Sequence, residues 1–61
     1  MTQELSEREH TILNRLMVQG AVSVAHLSSE LEVSEVTIRS DLSSLEERGL
    51  LSRTHGGALP S

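Results

Sequence analysis

The 61-residue chain has no aromatic residue, no cysteine, no lysine and a single proline. Each absence narrows the options. Without cysteine there is no disulfide framework, no thiolate for a zinc site and no thiol nucleophile, so an oxidising compartment is not required and a cytoplasmic setting is expected. Without aromatics, burial falls to ten Leu, five Val, two Ile, three Ala and two Met. A single small domain with such a core is expected to hold only about 3 to 5 kcal/mol. A substrate pocket of roughly a few hundred Å³, usually lined by aromatic and apolar groups, would consume most of it, which argues against an enzyme. No apolar run approaches the roughly 18 residues of a membrane span. The start Met1-Thr2-Gln3-Glu4 is acidic, unlike the basic opening of a signal peptide.

What charge there is leans negative. The net value of −4 counts against nucleic acid as a partner, but it is unevenly spread. Residues 1–33 hold five acids against two arginines, a balance of −3, whereas residues 34–61 hold four acids against three arginines, a balance of −1.

The pattern reads as helices followed by a hairpin. Ser6-Glu7-Arg8-Glu9 has the form of a capping box, and Ile12, Leu13, Leu16 and Met17 recur on one face until Gly20, which predicts a helix of about 7–19. Ala21-Val22 is long enough only to add a rung to a sheet formed elsewhere. Ser23 caps a second helix of about 24–31 carrying Val24, Leu27 and Leu31, and Ser34 caps a third of about 35–48 carrying Ile38, Leu42 and Leu45. Only Glu32-Val33-Ser34 separates these two helices, so they must cross steeply, with small Ser28 placed for the close approach. Leu50 to Thr54, His55-Gly56-Gly57 and Ala58-Leu59 before Pro60 then read as a β-hairpin.

Helix, helix, tight turn, helix and hairpin together describe a winged helix-turn-helix, mainly α with a small β-hairpin. In that fold the third helix packs one stripe and leaves its opposite side free for a major groove about 12 Å wide. With Ile38 at zero and 100° per residue, Val36, Ser40, Ser43 and Glu47 fall opposite the apolar stripe. Small polar residues there also suit a merely solvated face, but such faces usually carry Lys and Glu. An outward Val36 is wasted in water and suits a thymine methyl. Arg39 and Thr37 flank this outer face, Arg39 able to reach a phosphate or a guanine edge and Thr37 a phosphate; Arg39 can also pair in turn with Glu35 at i−4. Glu35 either takes that partner or accepts from a cytosine amino group. Ser34 leaves the positive end of the helix dipole beside the groove. Asp41 falls towards the core edge as a structural carboxylate, with Arg15 or Arg53 as its available cation. In the hairpin, Arg53, His55, Gly56 and Gly57 form a thin tip that can approach a backbone or minor groove closely, or simply a tight turn.

Catalytic and metal readings find less support. His10, His26 and His55 match no ligand spacing, and no nucleophile triad or phosphate-binding glycine loop is present. A rival of another class is a protein-interaction module using the acidic first half as its contact surface.

The run Val33-Ser34-Glu35-Val36-Thr37-Ile38-Arg39-Ser40-Asp41-Leu42, then Leu45, Gly49, Leu51, Arg53 and Thr54-His55-Gly56-Gly57-Ala58, resembles the N-terminal DNA-binding domain of the DeoR family of bacterial transcription regulators. The likeness covers residues 5–59, with the helix-turn-helix over about 24–48 and the wing over about 50–59. It implies sequence-specific recognition of double-stranded operator DNA, arranged as two half-sites, by Ser34, Glu35, Val36, Thr37, Arg39, Ser40, Ser43, Arg53, His55, Gly56 and Gly57. It further implies a regulator, usually a repressor of sugar or nucleoside catabolism, with no cofactor on this domain. A C-terminal domain that binds a phosphorylated sugar and mediates homo-oligomerisation is expected outside these residues, making the chain a fragment or isolated domain. Two positions depart from the family pattern: Ser40 stands where a second basic residue is usual, and Glu32 stands where glycine is frequent.

Overall fold

A computed structural model describes residues 5–61; the acidic start at residues 1–4 lies outside the described residues. Helix α1 (Glu7–Gln19) opens on the anticipated capping box: Ser6 Oγ accepts from the Glu9 amide at 3.1 Å, and the Ser6 amide donates to Glu9 Oε1 at 2.9 Å. It ends at Gly20, whose φ of 80° lets its amide reach back to the Leu16 carbonyl. Strand β1 (Val22–Ser23) follows, and Ser23 doubles as the cap of α2 (Val24–Leu31) by accepting from the His26 amide at 3.0 Å. Helix α3 (Glu35–Glu47) starts at its Ser34 cap, and Arg48, anticipated inside the helix, is instead its C-cap. Gly49 (φ 75°) then donates to Glu46 O at 2.9 Å and Leu50 to Leu45 O at 3.0 Å, the paired bonds of a Schellman ending.

The chain closes with β2 (Leu51–Thr54) and β3 (Gly57–Pro60). The sheet is antiparallel in the order β1-β3-β2, with Arg53 opposite Ala58 in the hairpin and Val22 opposite Ala58 on the other side of β3. The two residues of β1 thus supply the rung foreseen for residues 21 and 22, shifted by one. Pro60 belongs to β3 although the hairpin was expected to stop before it. Proline is tolerated at that strand end because β1 does not extend alongside to ask for its amide.

Ile12, Leu16, Leu27, Ile38, Leu42, Leu45 and Leu51 are essentially fully buried, joined by Val22, Val24 and Ala58. This is the aliphatic core the composition required, fed by all three helices and the sheet. Burial of each large aliphatic is worth about 1.5 to 3 kcal/mol against leaving it in water. Met17 is the exception: expected on the inward stripe of α1, it is 82% exposed. At 100° per residue it lies 140° from Ile12, too far round for the core to reach.

The turn between α2 and α3 is held from both directions. The Val33 amide donates to Ser28 O at 3.2 Å, and the Ser28 hydroxyl donates to Val33 O at 2.5 Å. Ser28 therefore stitches the turn. Glu32 within it has φ 58° and ψ 44°, the left-handed conformation that glycine adopts without steric cost. The architecture is a winged helix-turn-helix: α2 and α3 form the helix-turn-helix, α1 completes the core and the hairpin is the wing.

Candidate nucleic-acid interface

The orientation of α3 follows from its sequence. With Ile38, Leu42 and Leu45 at 0% exposure, the opposite stripe must face solvent: Val36 is 72% exposed, Ser40 and Glu47 are exposed, and Ser43 is half-buried. Ser34 Oγ accepts from the Thr37 amide at 3.2 Å and lies 3.0 Å from the Thr37 hydroxyl, so the two hydroxyls sit together at the positive end of the helix. Arg39 Nη2 meets Glu35 Oε1 at 3.0 Å. The side chains of that pair are 51% and 47% exposed, so it is worth only a few tenths of a kcal/mol and can open at little cost.

One flank of the helix is fixed by an ion pair that the sequence did not disclose. Asp41 is held by Arg8 of α1, through Nε to Oδ2 and through Nη2 to Oδ1 at 3.2 Å, rather than by Arg15 or Arg53. Its hydrogen bond and its charge both raise the Arg8 guanidinium above its ordinary pKa. Thirty-three positions separate the partners in sequence, and only the tertiary fold brings them together. Arg15 instead meets Glu30 of α2 at 2.8 Å, and the hydrogen bond from Arg15 holds the Glu30 carboxyl below its usual value.

The wing lies against α3 rather than standing clear of it. The Arg53 amide donates to Glu46 Oε2 at 2.8 Å, and Arg53 Nη1 donates to Ser43 Oγ at 2.7 Å. Arg53 and Ser43, anticipated on separate elements, thus meet. Glu46 is the residue sequence reasoning missed; an acid on an exposed helix turn carries no local signal of a strand amide it will cap. The wing turn is His55-Gly56, with Gly56 at φ 81°, and its carbonyl accepts from the Val24 amide of α2 at 2.8 Å. His55 and Gly56 are exposed there. Gly57 is not at the tip, contrary to expectation: it is buried in β3 opposite Thr54 and Ser23. A Cβ at Gly57 would stand 2.0 Å from the Val22 carbonyl oxygen, so the backbone it approaches is the protein's own.

Among the described residues no three His, Asp or Glu side chains converge to hold a metal, and no helix is long and apolar enough to cross a membrane. A shallow, open depression lined by Gln19, Ala21, Val22, Ser23 and His26 carries one titratable group.

Residues 8–60 match the family model of the DeoR-like helix-turn-helix domain. The chain belongs to that family. As a DeoR-like domain it is similar to a protein of Escherichia coli O157:H7, provisionally named an aga operon transcriptional repressor, with 52% identity over 54 residues, 88% of this chain and 20% of that protein. It is 45% identical over 51 residues to the lactose phosphotransferase system repressor of Lactococcus lactis, covering 84% of this chain and 20% of the repressor. It is 44% identical over 55 residues to the L-fucose operon activator of Haemophilus influenzae, covering 90% of this chain and 22% of the activator. The DeoR-like domain therefore spans about a fifth of the length of these relatives. No solved structure matches the chain significantly.

Proposed function

We propose that this DeoR-like domain recognises a specific sequence of double-stranded DNA by laying α3 in the major groove, as the operator-reading part of a transcription regulator. Val36 and Ser40 face the base edges, with Glu35 at the entry and Ser43 two turns further along the same side. Ser34, Thr37, Arg39, Arg53, His55 and Gly56 address the sugar-phosphate backbone. The observation that carries the reading is Val36: a branched aliphatic 72% exposed at the start of α3, about half a turn round from a fully buried stripe, with short uncharged serines along the same side. That surface lets a helix backbone approach a groove and offers a methyl contact to thymine.

The relatives named for a lactose phosphotransferase system and for the aga and L-fucose operons support a role in controlling sugar catabolism, chiefly as a repressor. The same relatives are about four times as long as this chain, which accords with a further domain that senses a phosphorylated sugar and assembles the regulator into oligomers. Few phosphates are neutralised per domain. With about 2 to 4 contacts the salt slope is about −2 to −4, so useful affinity calls for two domains on two half-sites.

The test is titration of the chain against a duplex selected from a random library and against its scrambled counterpart, at several salt concentrations. Tighter binding to the selected duplex is expected, with amide shifts concentrated at residues 34–43 and 53–56. Equal affinity for both duplexes would overturn sequence recognition, and shifts confined to the acidic first half would favour a protein-binding surface.

A further inference from the structure

We infer that Ser43 and Arg53 act as one unit, in which Ser43 aims the Arg53 guanidinium at a phosphate on the wall of the groove that α3 occupies. This rests on the DNA-binding reading above and assigns Ser43 a different part from Val36 and Ser40: it is a positioning residue for Arg53. The wing arginine accordingly serves the major-groove side of the interface, not a minor groove beyond the hairpin tip.

Arg8, Arg15 and Arg39 each give their charge to a carboxylate, respectively Asp41, Glu30 and Glu35. Arg53 does not. Its guanidinium is held by a neutral hydroxyl, Ser43 Oγ at 2.7 Å, and the neighbouring acid Glu46 is occupied with the Arg53 backbone amide at 2.8 Å. A guanidinium has five N–H donors in a rigid fork, and the hydroxyl uses only one side of it. The cation is thereby fixed on the outer side of α3 with its remaining donors and its full charge available, the requirement for a charge-assisted contact to phosphate. Strand β2 sets where the stem begins, because its Arg53 amide is anchored on α3 through Glu46. Ser43 sets where the stem ends. Ser43 lies seven residues beyond Val36, two turns along the same stripe, where a helix seated at its N-terminal end is rising from the base edges towards the backbone.

The experiment is a double-mutant cycle of Ser43→Ala and Arg53→Gln in the 61-residue chain, with Arg53→Lys as a third variant. Affinities for the selected and scrambled duplexes are measured across salt concentration. Arg53→Gln is expected to weaken binding to both duplexes by a similar factor, about tenfold, and to reduce the salt slope by about one. Ser43→Ala is expected to weaken both about threefold and to have no further effect once Arg53 is Gln. Arg53→Lys retains the slope and loses the dependence on Ser43, since an ammonium lacks the fork. Additive losses, or a Ser43→Ala change confined to the ratio between the duplexes, would overturn the coupling and make Ser43 a base reader. A parent chain that does not distinguish the duplexes defeats the DNA-recognition reading itself, a result separate from the first. Unchanged melting curves for the variants confirm that each comparison is made on folded protein.

Discussion

Replacing Gly57 by alanine is the sharpest test of how the wing is attached. A Cβ there would lie 2.0 Å from the Val22 carbonyl oxygen, 3.1 Å from the Val22 carbonyl carbon and 3.2 Å from the Ser23 Cα. All three are backbone atoms, so no side-chain rotation relieves the overlap and β1 must move away from β3. That movement breaks the pairing of Val22 with Ala58 and of Ser23 with Gly57, and it lifts buried Val22 from the core. Overpacking of this kind costs about 1 to 3 kcal/mol before any ladder bond is lost, so a total of about 2 to 3 kcal/mol is expected. In a domain of this size 1 kcal/mol moves the melting temperature by about 4 to 8 °C, which sets the expected drop at about 10 °C or more. Gly56→Ala is the control. Its added Cβ meets no atom within 4 Å, and only the left-handed φ of 81° opposes it, at about 1 kcal/mol. Thermal unfolding followed by circular dichroism separates the two. A Gly57→Ala chain melting within about 3 °C of the parent, or above Gly56→Ala, would refute the close-approach argument.

Glu32→Gly should stabilise the domain, because glycine takes φ 58° without the Cβ penalty; allowing for its greater freedom when unfolded, the gain is about 0.5 to 1 kcal/mol, visible as a rise in denaturation midpoint. A fall would show that the Glu32 side chain holds the turn in a way its exposure does not suggest. The Arg15–Glu30 pair predicts an acid dependence. Because the folded carboxyl titrates below its ordinary 4.5, its stabilisation is complete above that value and disappears as pH falls through the lower folded one. The melting difference between the parent and Glu30→Gln should therefore be present at neutral pH and vanish in acid, and a difference that persists unchanged at low pH would remove Glu30 as its source.

The backbone of this fold was legible because its punctuation is local. Ser6, Ser23 and Ser34 each cap the helix that follows, and Gly20 and Gly49 each end one, through hydrogen bonds spanning at most five residues. The inward stripe of α3 was legible for the same reason: Ile38, Leu42 and Leu45 share a face by helix geometry alone. Local periodicity misled where it met the edge of the core, as at Met17, whose place in a helical stripe says nothing about whether a neighbouring element extends far enough to cover it. It also misplaced Gly57, because two adjacent glycines signal a turn while only the third strand reveals which of them must be bare.

The contacts that escaped the sequence are the ones between elements, and they are also the ones that determine how α3 is presented. Arg8 to Asp41 fixes the helix from the α1 side, and Arg53 to Ser43 and Glu46 fixes the wing onto its other flank. Both depend on where long side chains end after packing, which periodicity does not encode. One consequence is visible in the charge. Reading the arginines one by one against the net value of −4 suggests a surface hostile to phosphate, yet the fold places three arginines against acids that cancel them and leaves the charge of Arg53 on the reading side of α3. For a domain this small, where the positive charges end up matters more for binding DNA than how many there are, because contacts beyond roughly 10 Å are screened at ordinary salt.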